Sequence, residues 1–382
     1  MNIQLLNKIA AVGLKEFSDG YNIGEDITNP DGIMVRSAAM HEMEFGSELK
    51  AIARAGAGVN NIPIDRCSQA GIVVFNTPGA NANGVKELAI CALLLAARDV
   101  VGGIEWAKSL TEDVAKQVEK GKSKFAGTEL KGKTLGVIGL GAIGGMIANT
   151  AIHLGMKVIG CDPFLSVEAA WNLDRRIVHA NTYDEVFENA DYITLHVPAT
   201  KDTKNMICTD NIAKMKDGVK IINLSRADLV NAAELKAALE SAKVSAYVTD
   251  FPTEEVLNVP HVVAIPHLGA STEESEDNCA VMAANELDDY LKNGNIKNSV
   301  NFPNVDMPRT SVARICVLHA NIPAVLTKIT AVLANEGLNI ENLTNKSKGE
   351  NAYTMLDVSS QPSAEAAAHI ATIEGVARVR VI

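Results

Sequence analysis

Three ionisable residues each follow a short apolar run in the middle of the chain. Arg226 comes after the run at 221–224, Glu254 soon after 244–248, and His267 behind Pro266 after 262–265. If those runs are strands of one parallel sheet, all three residues fall at the carboxyl ends, where open α/β sheets hold their ligands. A guanidinium can grip a carboxylate with two parallel hydrogen bonds, which an ammonium cannot. An imidazole titrates near neutrality and can take a hydroxyl proton; a carboxylate beside it raises its pKa and fixes its tautomer. Oxidation of a 2-hydroxy acid needs those two groups and a nicotinamide to receive hydride. Position alone leaves rivals open: His196 also ends an apolar run, and Glu255 and Asp250 compete with Glu254.

The hydride acceptor has its own signature. Gly139-Leu140-Gly141-Ala142-Ile143-Gly144 follows the run at 134–139 and opens a helical stretch to Leu154, which Gly155 can end. Gly139 suits the tight turn, Gly141 lets backbone approach a pyrophosphate, and Gly144 lets the helix pack close to its strand. The pyrophosphate would sit on the helix N-terminus. Asp162 ends the next apolar run, placed to accept from ribose hydroxyls and to repel a 2′-phosphate, so NAD is favoured over NADP.

These residues need a scaffold of alternating strands and helices. Strands are expected at 32–35, 51–54 and 72–75 with a helix at 85–97, then again at 134–139, 157–161, 192–195, 220–224, 244–248 and 262–265. That alternation predicts α/β domains with doubly wound parallel sheets. Residues 303–310, with two prolines and no hydrophobic period, read as a linker. Beyond them, strands at 312–318, 338–346, 352–358 and 377–382 and helices at 323–336 and 363–372 give the order βαββαβ of a ferredoxin-like unit.

Composition agrees. A chain of 382 residues, 47% hydrophobic and 21% charged, is globular and long enough for two or three domains. A net charge of −11 opposes nucleic acid and acidic membranes. Six scattered cysteines without a C-x-x-C pair fit a reducing compartment, and the apolar run at 88–97 stops at Arg98, short of a membrane span. A cytoplasmic protein without a metal site is expected.

The strings Gly-Leu-Gly-Ala-Ile-Gly, Leu-His-Val-Pro-Ala-Thr, Asn-Leu-Ser-Arg, Phe-Pro-Thr-Glu and Pro-His-Leu-Gly-Ala-Ser-Thr closely resemble those of the D-isomer-specific 2-hydroxyacid dehydrogenases, in order and spacing, across about 30–302. The resemblance implies that Arg226, Glu254 and His267 are the catalytic set and that His196 lines the cofactor side. It adds Ala142, Ile143, Val197, Leu224, Ser225, Asp250, Gly269 and Ala270 to the cofactor contacts. It also implies a flavodoxin-like substrate domain, 1–91 completed by 283–302, and a Rossmann NAD domain, 92–282, with substrate in the crevice between them.

Val35-Arg-Ser37 and Arg54-Ala-Gly-Ala-Gly58 resemble the substrate loops of the phosphoglycerate-oxidising branch. Arg36 and Arg54 would hold the phosphate of D-3-phosphoglycerate, with Ser37 as a further substrate contact, and the amides of Ala55, Gly56, Ala57 and Gly58 its carboxylate. The unit at 311–382 resembles an ACT domain. By that likeness His319, Asn321 and Asn339 would bind L-serine as effector across an interface of a homo-oligomer, dimer or tetramer.

Three features depart from the family pattern: Ala324 and Ala227 stand where glycine is usual, Val248-Thr-Asp-Phe251 replaces Asp-Val-Phe, and the Glu254-to-His267 interval implies a trimmed loop. An unphosphorylated 2-hydroxy acid as substrate, or an NADH-sensing binding protein, are the competing readings.

Overall fold

The computed structural model describes residues 1–382. It forms two compact units, Met1–Asn81 with Glu276–Ile382, and Ala82–Ser275. No helix is long and apolar enough to cross a membrane.

In the first unit, β1 (Asn2–Leu5), β2 (Asn22–Gly24), β3 (Gly32–Val35), β4 (Ala51–Arg54) and β5 (Val73–Phe75) form a parallel sheet in the order β2-β1-β3-β4-β5, the flavodoxin-like arrangement. Gly-Ile-Met-Val of β3 is buried throughout, as a strand covered on both faces requires.

The second unit carries β6 (Thr134–Ile138), β7 (Lys157–Cys161), β8 (Val178–His179), β9 (Tyr192–Leu195), β10 (Val219–Asn223), β11 (Val244–Thr249) and β12 (Val262–Ala264), all parallel, in the order β12-β11-β10-β9-β6-β7-β8. The order reverses between β6 and β9, and a ligand crevice opens outside the carboxyl ends at such a switch point.

The C-terminal sheet of β13 (Ala313–Ala320), β14 (Ile340–Lys348), β15 (Asn351–Val358) and β16 (Val376–Val381) is antiparallel in the order β14-β15-β13-β16, the ferredoxin-like solution for βαββαβ. It does not stand apart. Ile315, Val317, Leu356 and Val358 pack on the helices Val325–Asn335 and Ala364–Ala371. The alternate residues Cys316, Leu318, Tyr353 and Met355 join one apolar cluster with Tyr290, Phe302 and Phe75.

Two arginines, Arg314 buried and Arg380 half-buried, fasten this junction at the end of the helix Glu273–Asn293, where carbonyls lack partners. Arg314, fully buried, binds Asp357 at 2.6 and 3.0 Å and donates to the Asn293 carbonyl at 2.8 Å. Arg380 donates to the carbonyls of Tyr290 and Leu291.

The expected boundaries therefore shift. Ala82–Ala97 is one helix whose Val85, Ala89, Ala92 and Leu93 pack with Leu135 and Val137, so no domain ends at 91. Glu273–Asn293 is likewise one helix, with Cys279 and Ala280 already in the first unit's core, so the return precedes 283. Residues 303–310 are not a free linker either: Val305 is fully buried and pairs with Ile296, and Met307 is buried beside it. The prolines hid this short apolar alternation.

Candidate active site

The glycine loop behaves as its spacing requires. Gly139 has φ 89°, and a Cβ there would lie 2.4 Å from the His196 carbonyl oxygen. A Cβ on Gly144 would fall 1.9 Å from the Gly139 oxygen, so the helix Ala142–His153 packs on its turn only without one. A Cβ on Gly141 would meet nothing within 4 Å. The space it leaves is where a pyrophosphate could reach the backbone. Asp162 pins this loop, accepting from Leu140 N and Phe164 N, both at 2.9 Å.

Beside it, His196 bonds Thr194 Oγ1 through Nε2 at 2.7 Å and leaves Nδ1 unpartnered; burial lowers its pKa to about 3. A ring that stays neutral through the physiological range is a poor general base. Val197 follows it, half-buried.

At the end of β10, buried Asn223 shapes the turn that presents Arg226: its Oδ1 accepts from Ser225 N at 3.2 Å, and its Nδ2 donates to the Arg226 carbonyl at 2.8 Å. Ser225 Oγ donates to the Leu195 carbonyl, tying this turn to β9. The Arg226 guanidinium lies 5.6 Å from the centre of the Phe251 ring, and the His267 ring lies 4.4 Å from it on centroids. Phe251 N in turn bonds Thr249 Oγ1. One aromatic ring thus gathers a cation and an imidazole presented by separate strands.

Asp250 is buried at 2% exposure with both carboxylate oxygens unpartnered. Burial raises its pKa, opposed by the charges of His267 and Arg226. Gly269 is buried beside it and Ala270 half-buried. An orphaned carboxylate among these residues fits an amide-bearing ring that donates to it, as the nicotinamide half of NAD does.

Glu254 behaves otherwise than expected. It is exposed, and no hydrogen bond or ion pair joins it to His267, itself exposed. The carboxylate whose charge meets the imidazole is that of Asp250. Chain proximity suggested Glu254, but the turn after β11 carries it outward.

In the first unit, the backbone N–H groups of Arg36, Ser37 and Ala38 all donate to Asn7 Oδ1, at 3.0, 2.9 and 3.0 Å. Arg54 Nε donates to the Arg36 carbonyl at 3.0 Å. Gly56, at φ 151°, leaves the room in which the Arg54 guanidinium lies. Thr77 N and Asn76 Nδ2 hold the carbonyls of Gly56 and Ala57. Arg36 Nη2 lies 2.6 Å from Glu276 Oε1. Asn7, Asn223, Phe251 and Glu276 were not expected as site residues; Asn223 and Phe251, at strand ends, carried a local signal.

The C-terminal residues separate. His319 is buried with both ring nitrogens engaged, by the Ala320 carbonyl and Thr354 Oγ1, each at 2.8 Å. Asn321 donates to the Gly349 carbonyl at the same end. Asn339 lies at the opposite end of the sheet, because Ile340 pairs with Val358 whereas Ala320 pairs with Asn351. One chain does not bring the three together. Ala324 takes φ 68°, the left-handed region glycine favours, at roughly 1 kcal/mol or more of strain.

The family model for the D-isomer specific 2-hydroxyacid dehydrogenase NAD binding domain matches residues 92–269. The D-3-phosphoglycerate dehydrogenase of Synechocystis is 36% identical over 315 residues, covering 79% of this chain and 54% of that protein. The chain thus spans about half the length of that relative. The hydroxypyruvate reductase of Thermotoga maritima is 37% identical over 284 residues, covering 71% of this chain and 88% of that one. The crystal structure of NAD+-bound 3-phosphoglycerate dehydrogenase from Entamoeba histolytica superposes with a TM-score of 0.61 at 31% identity, covering 79% of this chain and 98% of that one. The chain belongs to the D-isomer-specific 2-hydroxyacid dehydrogenase family and carries its NAD-binding domain.

Proposed function

We propose that the protein oxidises D-3-phosphoglycerate to 3-phosphohydroxypyruvate with NAD, the entry step of L-serine synthesis from that acid. The observation that carries this reading is the gathering of Arg226 and His267 on Phe251 above unpartnered Asp250, on the sheet that bears the glycine loop. Gly139, Gly141, Ala142, Ile143 and Gly144 would cradle the pyrophosphate, and Asp162 and Val197 would meet the adenosine half. Leu224, Ser225, Asp250, Gly269 and Ala270 would border the nicotinamide. Bound NAD supplies the hydride acceptor.

Arg226 would hold the substrate carboxylate and so orient the hydroxyl-bearing carbon. His267 Nε2 or Nδ1 takes the hydroxyl proton as hydride leaves, and the imidazolium is met by carboxylate charge from Asp250, with Glu254 reaching it on movement of its exposed turn. Arg36 and Arg54 are the proposed phosphate ligands, Ser37 a further substrate contact, and the amides of Ala55 to Gly58 the carboxylate-side contacts. Purified protein with NAD and D-3-phosphoglycerate should form NADH, and His267→Ala should lose on the order of 10²- to 10⁴-fold in rate while still binding NADH. Normal turnover by that variant sinks the assignment of the base.

A second reading, an unphosphorylated 2-hydroxy acid as substrate, is favoured by the ion pair that Glu276 already makes with Arg36. L-serine is the proposed effector, bound by His319 and Asn321 of one copy and Asn339 of another in a homo-oligomer. Inhibition of NADH formation by L-serine, lost in Asn339→Ala, tests it.

A further inference from the structure

We propose that Glu276 sets the preference between phosphorylated and unphosphorylated substrates, by holding the guanidinium that a phosphate would need. The inference rests on the reading of Arg36 as a substrate ligand.

The loop that bears Arg36 has little freedom to move. Its three successive N–H groups converge on Asn7 Oδ1, and its carbonyl accepts from Arg54. Asn7 sits just beyond β1 and Arg54 ends β4, so the strand end carrying Arg36 is tied to both neighbours in the sheet. What remains adjustable is the side chain, and its guanidinium has taken Glu276.

Glu276 is presented just as rigidly. It lies in the first turns of the helix Glu273–Asn293, and one turn on that helix is anchored by buried Cys279, Ala280 and Ala283. Arg54 donates to the Arg36 carbonyl and Arg36 pairs with Glu276, so the three residues lie side by side.

A phosphate dianion and the Glu276 carboxylate compete for the same N–H donors, and a phosphate that shares Arg36 with Glu276 meets a like charge within a few ångströms. A free hydroxyl in the same place meets no such opposition. It can donate to the carboxylate. Glu276 thus acts in opposite directions on the two substrate classes, and the ratio between them is its signature. Both side chains are about half exposed, at 44% and 43%, so solvent screening keeps the effect to roughly threefold to fivefold.

The test is Glu276→Gln, which keeps the size and one acceptor oxygen and removes the charge, with Glu276→Ala as a second variant. For each folded protein, kcat/KM is measured for D-3-phosphoglycerate and for D-glycerate at low salt, and binding of both acids is measured by calorimetry. The ratio should move toward the phosphorylated acid by about threefold to fivefold, through KM more than kcat, and the gain should shrink as salt is raised. A merely structural role would lower the thermal midpoint and change both substrates alike. An unchanged ratio in the glutamine variant, or one that moves away from phosphate, overturns the inference. If the unaltered protein does not turn over D-3-phosphoglycerate, the substrate proposal fails, while the calorimetric ratio still decides the role of Glu276.

Discussion

Glu286 gives a prediction that can be worked through from geometry. It faces inward from the helix Glu273–Asn293 at 7% exposure; Asn298 Nδ2 donates to its Oε1 at 2.6 Å, and its Oε2 has no partner. One donor and the charge of Lys297 do not offset burial, which pushes its carboxyl from the usual 4.5 up to about 8. The folded state therefore holds a proton that the unfolded chain releases above pH 4.5, so this group costs stability increasingly as pH rises toward 8 and adds nothing further above it. Each pH unit is worth about 1.4 kcal/mol, which caps the total near 5 kcal/mol and puts about 2–3 kcal/mol between pH 6 and 8.

The glutamine of Glu286→Gln mimics the protonated form and cannot titrate. Urea denaturation of the two proteins at pH 6 and pH 9 should therefore show the variant gaining on the parent by about 2–3 kcal/mol across that interval. Other titrating groups cancel in the difference. If the two stability profiles run parallel from pH 6 to 9, Glu286 is ionised in the fold, and the argument from its unpartnered oxygen is wrong.

Two further outcomes follow from the same kind of reasoning. Gly141→Ala should fold with an unchanged thermal midpoint and bind NAD at least tenfold more weakly, because its Cβ meets no protein atom and enters the pyrophosphate space; Gly144→Ala should lower the midpoint itself, because its Cβ collides with the Gly139 carbonyl. Calorimetric titration and thermal melts separate the two. Asp357→Asn should cost about 3–5 kcal/mol by leaving the Arg314 guanidinium buried without its counter-charge, whereas Arg314→Met with Asp357→Leu should recover most of it. Hydrogen exchange in β13 and β15 reads the loss locally, and protection unchanged in Asp357→Asn would contradict it.

How far the sequence could be read depended on the range of the interactions. The glycine loop was legible because each glycine answers a demand set within a few residues: a positive φ, an open approach, a close helix contact. The strands β3 and β4 were legible because burial on both faces leaves a short apolar run, unbroken in Gly32–Val35. Strands β1, β2 and β8 and the helices Val100–Lys108 and Val114–Gly121 were not, being short or polar and held by neighbours rather than by their own periodicity.

The catalytic candidates divide in the same way. That Arg226 and His267 end strands of one sheet follows from local pattern, and their convergence was expected from it. That Phe251 is the surface on which they meet, and that Glu254 lies exposed with no bond to the imidazole while Asp250 is buried, depends on how the turn after β11 folds back. No spacing rule predicts the direction of such a turn.

By itself, then, the sequence determined the alternation of the buried strands with helices, the dinucleotide loop and the residue types at the strand ends, because these are set by periodicity and local backbone demands. Tertiary structure alone decided that the C-terminal sheet shares a core with the first unit, that Asn7 gathers the Arg36 loop and that Glu276 holds its guanidinium. Those contacts join residues far apart in the chain. Their energy comes from burial and charge between surfaces that exist only once the sheets have formed.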